Sequence, residues 1–398
     1  MTAATQRRYA TGRARQEELL DAAYELFAAE GFSGVSLRAI AAKAGVSHAS
    51  LLRYFKSKDD LLLALLSRWE NANVAWIEMH ADLPRPEALL GLARRNAATP
   101  GYLPLFAALT GEAVSPAHPG HEHMKRRYED VRRYHFEGGD ADAARVTAAW
   151  DGLQVMSLYL DEVDVASELA DYFARTPSTP TRVDLDAYDT SIKDEGLVHL
   201  PDPPPADVSG YARGREQRAR IIDSATELFA ERGFTSTSLS DIAKRVGTSK
   251  SSLLHHFGSK DALLAAVLAH RDDVFSEQAG QSAPAREFLR RLVAGARTNA
   301  ARPGLIELYT VLSHEATAAE HPAHEFFSRR FRWAVDHFTT VFDLLRGSGQ
   351  IAADRDPRRE AIWFVALWDG LQVQWLYDPE AVDVADELRA HLESILIR

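Results

Sequence analysis

Residues 19–62 read LLDAAYELFAAEGFSGVSLRAIAAKAGVSHASLLRYFKSKDDLL, and this stretch decides the fold. Its first turns carry apolar residues at the helical spacing i, i+3, i+4 and i+7, namely Leu19, Leu20, Ala23, Leu26 and Phe27. Gly31 follows directly after that run, and glycine is the residue that most often ends a helix. We therefore expect an amphipathic helix that stops at Gly31.

Two short helices joined by a tight turn follow this first helix. Ser36 and Ser47 stand where N-capping residues are needed, and Gly45 between them supplies the turn. Two short helices with this connection form a helix-turn-helix. Residues 57–59, Ser-Lys-Asp, then open a longer helix, and helical patterns continue to about Phe173. Because no window keeps the period-2 alternation of a strand, we predict an all-α fold.

The same stretch occurs a second time. Residues 221–264 read IIDSATELFAERGFTSTSLSDIAKRVGTSKSSLLHHFGSKDALL, in register with the first copy at an offset of 202 positions. Farther along, PGYLPLFAALTGEA at 100–113 returns as PGLIELYTVLSHEA at 303–316. A repeat of this length in both halves indicates a tandem duplication. Each half is long enough to bury a core of its own.

A third repeated phrase is the most specific of all. WDGLQVMSLYLDEVDVA at 150–166 returns as WDGLQVQWLYDPEAVDVADEL at 368–388. The offset has grown to 218 here, so the first copy lacks about fifteen residues, which we place between His135 and Trp150. The Gly138-Gly139 pair lies in that interval, and we interpret it as a shortened loop that reduces or closes the interior of the first copy.

These repeats set the predicted domain boundaries. We expect a helix-turn-helix domain over 12–58, a helical body over 59–175, a linker over 176–213, a second helix-turn-helix domain over 214–260 and a second body over 261–398. The linker is rich in Pro, Asp, Ser and Thr and has no counterpart after the second copy. Fully extended at about 3.3 Å per residue, it could span roughly 100 Å or more and join the copies in any orientation.

Charge is distributed unevenly along the chain. The whole chain has a net charge of −11, yet residues 1–58 hold nine Lys and Arg against five Asp and Glu, and residues 211–260 hold the same numbers. The remaining residues therefore carry a net charge of −19. Two basic segments on an acidic body are typical of two DNA-facing ends whose bodies are repelled by phosphates.

Composition excludes several classes of protein. No run of about eighteen apolar residues could cross a membrane, and the polar start MTAATQRRYATGRARQ lacks the apolar stretch of a signal peptide, so we expect a cytoplasmic protein without membrane contact. Cysteine is absent, which excludes disulfides and thiolate zinc sites. No nucleophile elbow, phosphate loop or dinucleotide fingerprint occurs, so we predict neither an enzyme nor a bound cofactor.

Both copies of the helix-turn-helix stretch closely resemble the DNA-binding domain of TetR-family transcriptional repressors, and the WDGLQVQWLYDPEAVDVA phrase is similar to the end of their regulatory domain. The resemblance spans nearly the whole chain apart from the linker. For each copy it implies nine helices, of which three bind DNA and six form a body that holds a small-molecule inducer and dimerises through its last two helices. We therefore predict a tandem duplication of a TetR-like fold.

The resemblance also implies DNA-binding residues in each copy. In the first copy these are Ser36, Arg38, Ser47, His48, Ala49, Ser50, Arg53, Tyr54 and Lys58, and in the second copy Ser238, Ser240, Ser249, Lys250, Ser251, Ser252, His255, His256 and Lys260. Hydroxyls and cations at a helix N-terminus suit phosphates and base edges. Lys58 and Lys260 match the family's phosphate-binding lysine. The family's common Gly-Thr-Leu-Tyr is replaced by Ala-Ser-Leu-Leu and Ser-Ser-Leu-Leu, so a usual tyrosine contact is missing from both copies.

Ordinary family members dimerise to place two recognition helices on one operator, and the duplication suggests a covalent pair instead. We hypothesise that the repeated WDGLQV helices and the VDVA helices after them pack as an intramolecular four-helix interface, which makes the chain a pseudodimer; a homodimer of two chains is the alternative. The interface candidates, which could instead line a ligand pocket, are Trp150, Gln154, Trp368, Gln372 and Trp375. Because the two recognition helices differ, we expect a pseudo-palindromic operator whose half-sites are similar but not identical.

Ligand candidates lie on the middle helices, where core packing is the competing interpretation. They are Tyr102 and Phe106 in the first copy and Tyr309, Trp333, His337 and Phe338 in the second. Since the first copy is shorter, we hypothesise that only the second copy binds inducer. A group of histidines suggests a metal at first sight, namely His118, His121 and His123 with the repeated His321 and His324. Without helix-spaced carboxylate or thiolate partners, they favour a loop-to-helix junction and no metal site.

The sequence thus predicts a repressor that binds double-stranded DNA and leaves it when a small, largely apolar molecule enters one or both bodies. An activator and a ligand-insensitive repressor belong to the same class of DNA-binding regulators. The residues do not distinguish them from a ligand-responsive repressor. The alternative from another class is a small-molecule-binding or protein-interaction scaffold whose helix-turn-helix units no longer bind DNA.

Overall fold

The first half of the chain folds into a helical unit. The computed structural model describes residues 3–134, 142–175, 183–186, 196–198, 212–279, 282–300 and 303–397. Within these residues the first unit comprises α1 (Ala3–Gly34), α2 (Leu37–Lys43), α3 (His48–Leu51), α4 (Lys58–Met79), α5 (Arg85–Ala98), α6 (Tyr102–Glu112), α7 (His121–Tyr134), α8 (Asp142–Met156) and α9 (Val165–Ala174). Gly31 has a φ of 71° and interrupts α1 at the predicted stop.

The second half repeats this order of helices. It comprises α10 (Ala212–Arg232), α11 (Leu239–Val246), α12 (Lys250–Phe257), α13 (Lys260–Ala279), α14 (Ala285–Ala300), α15 (Pro303–Glu315), α16 (His324–Gly347), α17 (Pro357–Tyr377) and α18 (Val384–Ile395). Two short strands, β1 (Leu197–Val198) and β2 (Ala283–Pro284), pair antiparallel. The predicted all-α tandem fold is confirmed, and this ribbon is a small addition that the sequence did not indicate. We call α1–α3 and α10–α12 the heads, and the remaining helices of each unit its body.

Local sequence accounts for the geometry of the heads. The side chains of Ser36 and Ser47 each accept a hydrogen bond of 3.1 Å from the backbone amide three residues ahead. Gly45 between them has a φ of 65°, a left-handed conformation that glycine adopts without strain. Ser238 and Ser249 cap α11 and α12 in the same manner. The helix starts predicted from serine are therefore confirmed in the first head and recur in the second.

Within the described residues, buried apolar side chains form one large cluster and two smaller ones. The first head packs around its own cluster, which includes the fully buried Leu19, Phe27, Ile40, Leu51 and Leu61. A larger core runs through the second unit and includes residues of α8 and α9 from the first. Every long helix thus buries one face against a neighbour. Among the described helices, none is long and apolar enough to span a bilayer.

The two units meet along α8 and α17, the helices that carry the repeated WDGLQV phrase. A Cβ atom added to Gly152 would lie 2.0 Å from the carbonyl oxygen of Ala366, and one added to Gly370 would lie 1.8 Å from that of Ala148. Gly152 and Gly370 are equivalent in the repeat, and so are the two alanines. The seam is therefore two-fold symmetric, and its backbones approach so closely that the glycine of each phrase has to be kept.

Tyrosine hydroxyl groups reinforce the seam from both sides. The Tyr159 hydroxyl donates to the carbonyl oxygen of Ser313 at 2.5 Å, and the Tyr377 hydroxyl donates to that of Thr110 at 2.7 Å. These two hydrogen bonds are again related by the repeat, since Tyr159 and Tyr377 follow the two WDGLQV phrases at the same spacing. Both hydroxyl groups are buried, so a loss of either partner would leave a polar atom without solvent.

The VDVA helices α9 and α18 also contact the opposite unit. Arg145 of α8 forms an ion pair of 2.7 Å with Glu387 of α18, and Arg359 of α17 lies 3.5 Å from Glu168 of α9. Glu168 and Glu387 occupy equivalent positions in the repeat. Burial raises the pKa of Glu168, while the nearby Arg359 opposes that rise. Four helices, two from each unit, therefore share polar as well as apolar contacts.

The described parts of the predicted linker pack against the second unit. Leu185 is 1% exposed and lies in the main core. Arg286 of α14, which is itself buried, donates a hydrogen bond of 2.6 Å to the carbonyl oxygen of Asp184. β1 pairs with β2 at the connection between α13 and α14. These described segments of residues 176–213 are therefore packed on the second unit, because they bury apolar surface and satisfy backbone groups.

Candidate DNA-binding surfaces and ligand cavity

The polar residues of both heads lie at the protein surface. In the first head Ser36, Arg38, Ser47, Ala49, Arg53 and Tyr54 are exposed, and His48 and Ser50 are half-buried. In the second head Ser238, Ser240, Ser249, Lys250, Ser251 and His255 are exposed, and Ser252 and His256 are half-buried. Each head therefore presents hydroxyl, imidazole and cationic groups outward, as a nucleic-acid surface requires. Their individual contacts with DNA stay a prediction.

The capping serines of the two heads are not equivalent in their hydrogen bonds. Ser238 accepts from the Asp241 amide and also donates to the Asp241 carboxylate at 2.5 Å. The hydroxyl and the backbone amide of Ser238 both donate to the Asp241 carboxylate and hold the pKa of Asp241 below its usual value. In the first head, Ala39 stands where the second has Asp241, so no carboxylate competes for the Ser36 hydroxyl at that position. The first head therefore offers a more favourable hydroxyl to a phosphate.

Lys58 and Lys260 point toward their own heads. The Lys58 ammonium donates to the carbonyl oxygens of Phe32 and Val35 at 2.9 and 3.0 Å and lies 4.2 Å from the centre of the Phe32 ring. The Lys260 ammonium lies 4.0 Å from the centre of the Phe234 ring. Burial lowers the pKa of both lysines. In this structure the Lys58 ammonium therefore binds carbonyl groups at the end of the first helix, and the phosphate contact of both lysines stays a prediction.

A glutamate at the end of α15 joins the second head to its body. The Glu315 carboxylate accepts hydrogen bonds from the backbone amides of Phe234 and Thr235, each at 2.7 Å. Gly233 precedes them with a φ of 75°, and a Cβ atom there would lie 2.8 Å from Glu315. Glu112 ends α6 at the equivalent position of the first unit. Sequence reasoning missed both glutamates, although their recurrence in the two PG repeats was a signal that could have found them.

The histidines that first suggested a metal belong to this junction between head and body. His118 and His321 each place Nε2 3.8 Å from the glutamate that ends the preceding helix. His121 and His324 each place Nδ1 2.9 Å from a backbone carbonyl oxygen. His123 lies 3.1 Å from a carboxylate of α4. In the ranges that the structure describes, no group of three or more histidines and carboxylates could hold a metal ion.

Three of the four ligand candidates of the second unit line a cavity of about 70 Å³ between α15, α16 and α17. Its wall includes Tyr309, Arg330, Trp333, Phe338, Asp369 and Gln372. The Arg330 guanidinium lies 5.9 Å from the centre of the Tyr309 ring and 5.6 Å from that of Trp333. The fourth candidate, His337, stacks on Trp333 at 5.2 Å, and burial lowers its pKa. The lining is thus aromatic with a few charged groups, as in ligand sites, but the cavity itself is smaller than the roughly 300 Å³ or more of such sites.

A second cavity of about 320 Å³ adjoins the first between α14, α17 and α18. Its wall includes Arg297, Trp368, Gln372, Trp375, Glu380 and Asp383. Trp368 and Gln372 line both cavities and separate them. Trp368, Gln372 and Trp375 therefore line a cavity, which was the alternative to an interface role, and their role stays a prediction. They lie on the cavity side of α17, whereas Ala366 and Gly370 lie on the side that meets α8.

The corresponding interior of the first unit is filled by polar and aromatic side chains. Arg127 lies 3.4 Å from the Asp151 carboxylate, and the Tyr128 hydroxyl donates to Asp151 at 3.0 Å. The Arg127 guanidinium lies 5.2 Å from the centre of the Phe106 ring, on which Tyr102 stacks at 6.1 Å. Burial, and then the adjacent Asp151, raise the pKa of Tyr128 well above its usual value. Tyr102 and Phe106 therefore take part in packing here, and a ligand role for them stays a prediction.

The remaining two interface candidates lie on α8. Gln154 is buried, and its side-chain amide lies 3.4 Å from the Asp151 carboxylate. Trp150 is half-buried and packs against the larger core. Gln154 thus supports the ion pair inside the first unit. The Gly138-Gly139 pair, which we interpreted as a shortened loop, lies outside the described residues.

Comparisons with known proteins match this architecture. The family of bacterial regulatory proteins, tetR family, matches residues 19–65 and again residues 221–267. The C-terminal domain of BetI-type transcriptional repressors matches residues 312–397. The chain therefore consists of two helical units, each of which opens with a helix-turn-helix of this family's type. The chain belongs to the TetR family and carries two TetR-like units.

Individual relatives are transcriptional regulators. The HTH-type transcriptional repressor KstR2 of Rhodococcus jostii is 32% identical over 36% of this chain and 63% of its own length. The HTH-type transcriptional regulator Mb3439c of Mycobacterium bovis is 41% identical over 22% of this chain and 48% of its own length. The chain thus spans less than two thirds of either relative. A TetR-family regulator from Agrobacterium tumefaciens has a solved structure that is 24% identical, with a TM-score of 0.40, over 46% of this chain and all of its own.

Proposed function

We propose that this chain is a ligand-responsive transcriptional repressor that binds one pseudo-palindromic operator as a single-chain pseudodimer. The observation that carries the proposal is the two-fold seam, in which Gly152 meets Ala366 and Gly370 meets Ala148. A two-fold arrangement of two helix-turn-helix heads is what an operator with two half-sites requires. Since both heads belong to one chain, binding of the first raises the effective concentration of the second.

The two heads favour an operator with unlike half-sites. Three exposed or half-buried positions of the recognition region differ between them, His48/Lys250, Ala49/Ser251 and Arg53/His255. Two of these changes replace one hydrogen-bonding group by another, and Ala49/Ser251 places a hydroxyl in the second head only, so the two heads prefer different base edges at those positions. A symmetric homodimer could not use such a difference within one operator, whereas a fused pair can.

Selection of duplexes from random DNA, followed by native mass spectrometry on the enriched duplex, tests this proposal. We expect one chain on a duplex with two similar but unlike half-sites, and an affinity that falls steeply with salt. Two chains on a perfect palindrome would overturn the pseudodimer. No enriched duplex and no salt-dependent binding would overturn DNA recognition and favour the scaffold alternative.

We further infer that the inducer binds the second unit alone. Tyr309, Arg330 and Asp369 line a cavity there, while their equivalents in the first unit, Phe106, Arg127 and Asp151, pack into one another. The aromatic walls favour a largely apolar molecule, as the sequence suggested. Entry of such a molecule would move α15, and Glu315 at its end would carry that movement to the second head.

Calorimetry with a compound found by thermal-shift screening tests the site. We expect one molecule per chain, and two molecules per chain would contradict the inference. Equivalent substitutions provide a matched pair: Tyr309→Leu should weaken binding at least tenfold, because it removes an aromatic wall, while Phe106→Leu should leave it unchanged. Equal effects of the two substitutions would place the ligand elsewhere.

A further inference from the structure

An exposed leucine recurs at equivalent positions of the two heads, Leu52 directly after α3 and Leu254 within α12. Leu52 is 39% exposed and Leu254 is 40% exposed, although the leucine directly before each of them is buried. Both belong to the small set of large apolar side chains that the described surface leaves in contact with water. The two positions are equivalent in the repeat, and they are where the family's tyrosine is missing. The same apolar exposure therefore recurs at one position of both heads.

The helical position of these leucines places them among the candidate base-reading residues. Residues three and four apart share one face of a helix. Leu52 therefore lies beside His48 and Ala49, and Leu254 lies beside Lys250 and Ser251. The surrounding residues are polar or cationic, and each head with its flanking helix carries a net positive charge. This setting suits DNA and does not suit an apolar surface of another protein.

We propose that Leu52 and Leu254 each contact the 5-methyl group of a thymine in the major groove, one in each half-site. The assignment rests on the proposed DNA-binding function and adds to it a specific base. The thymine methyl is the apolar group that the major groove displays, and contact with an aliphatic side chain removes both from water. Both heads have leucine at this position, although they differ at nearby positions. The two half-sites, which are otherwise unlike, therefore share this thymine.

Replacement of thymine by uracil tests the assignment, since it deletes the methyl group and leaves every hydrogen bond of the base pair in place. In the duplex enriched from random DNA, each thymine is replaced in turn, and binding is measured by fluorescence anisotropy. At one thymine in each half-site we expect binding to weaken about fourfold, the effect of losing about one buried methyl group. Replacement of both should weaken binding about fifteenfold.

Leucine variants identify the partner of each methyl group. In Leu52→Ala the uracil penalty should vanish in one half-site and persist in the other, and Leu254→Ala should give the reverse pattern. Met79→Ala, which removes an exposed apolar side chain of α4, should keep both penalties. Tight binding with no uracil penalty, or a penalty that survives in both leucine variants, would overturn the assignment while DNA binding stands. Failure to enrich any duplex would overturn the proposed function and this assignment together.

Discussion

The seam between the units and the interiors of the units have diverged to different degrees. At the seam, glycine faces alanine twice and tyrosine donates to a backbone carbonyl twice, with the same residues in equivalent places. In the interiors, the first unit packs Arg127 against Asp151 and Tyr128, while the equivalent region of the second unit surrounds a cavity.

The difference has a physical cause. Each seam contact joins one unit to the other and occurs twice about the two-fold axis, so a change at a seam residue strains the packing of both units. An interior residue contacts only residues of its own unit. Substitutions can therefore fill the interior of one unit without straining the other. Gly111 and His314 are equivalent residues that differ although they meet at the seam. A Cβ atom on Gly111 would lie 2.4 Å from the His314 side chain. A larger residue on one side of this contact therefore requires glycine on the other.

The largest effect is expected from Gly370→Ala in the seam. The added Cβ would lie 1.8 Å from the Ala148 carbonyl oxygen, so the backbones of α8 and α17 must separate. We expect the free energy of unfolding to fall by about 4 kcal/mol. This loss is above the usual range for overpacking, because the added atom meets a backbone carbonyl group, which cannot rotate away as a side chain can. Chemical denaturation followed by circular dichroism measures it.

Alanine substitutions at two other glycines serve as controls for Gly370→Ala. Gly152→Ala should cost about as much as Gly370→Ala, since its Cβ would lie 2.0 Å from the Ala366 carbonyl oxygen. Gly295→Ala, in a helix with nothing within 4 Å of the added atom, should be neutral or stabilising by about 0.5 to 1 kcal/mol. Unequal costs at Gly152 and Gly370 would break the symmetry that we assign to the seam.

The next effect comes from paired substitutions of the interior aspartates. Asp151→Asn removes the charge beside Arg127 and the acceptor of the Tyr128 hydroxyl, so we expect a loss of about 3 kcal/mol in unfolding free energy. The equivalent Asp369→Asn should cost clearly less, because Asp369 is half-buried at a cavity wall. Differential scanning calorimetry compares the two variants. Equal losses would mean that the interiors have not diverged in function.

Sequence reasoning reached the parts of this molecule that local chemistry decides. Serine caps, the glycine turn and the repeat itself are each visible within a few residues, and the structure confirms them. The direction of Lys58 was not predictable, because its ammonium meets carbonyl groups 23 and 26 residues away. The packing of Leu185 and the placement of Trp368 at a cavity likewise depend on helices that are distant in sequence.

Acid should destabilise the second unit more than the first unit. Burial lowers the pKa of His314 from 6.5 to about 4, and its first-unit equivalent is Gly111, which does not titrate. The folded protein therefore prefers the neutral imidazole, and its full stability is present above pH 6.5 and is lost as pH falls toward 4. We expect His314 to account for about 2 to 3 kcal/mol of that loss. Melting temperatures measured across this window should depend less on pH in His314→Gln, and an unchanged slope would exclude His314 as the cause.

The smallest effect concerns the junction that links cavity and head. Glu315→Ala removes the acceptor of the Phe234 and Thr235 amides, which should cost about 1 to 2 kcal/mol locally and speed hydrogen exchange of those two amides about tenfold. Global stability should change less than in the seam variants. If Glu315 transmits ligand binding, the variant should bind the screened compound normally yet release operator DNA less completely. Normal release would mean that the signal leaves the cavity by another helix, and α16 or α17, which also line it, would be the next to test.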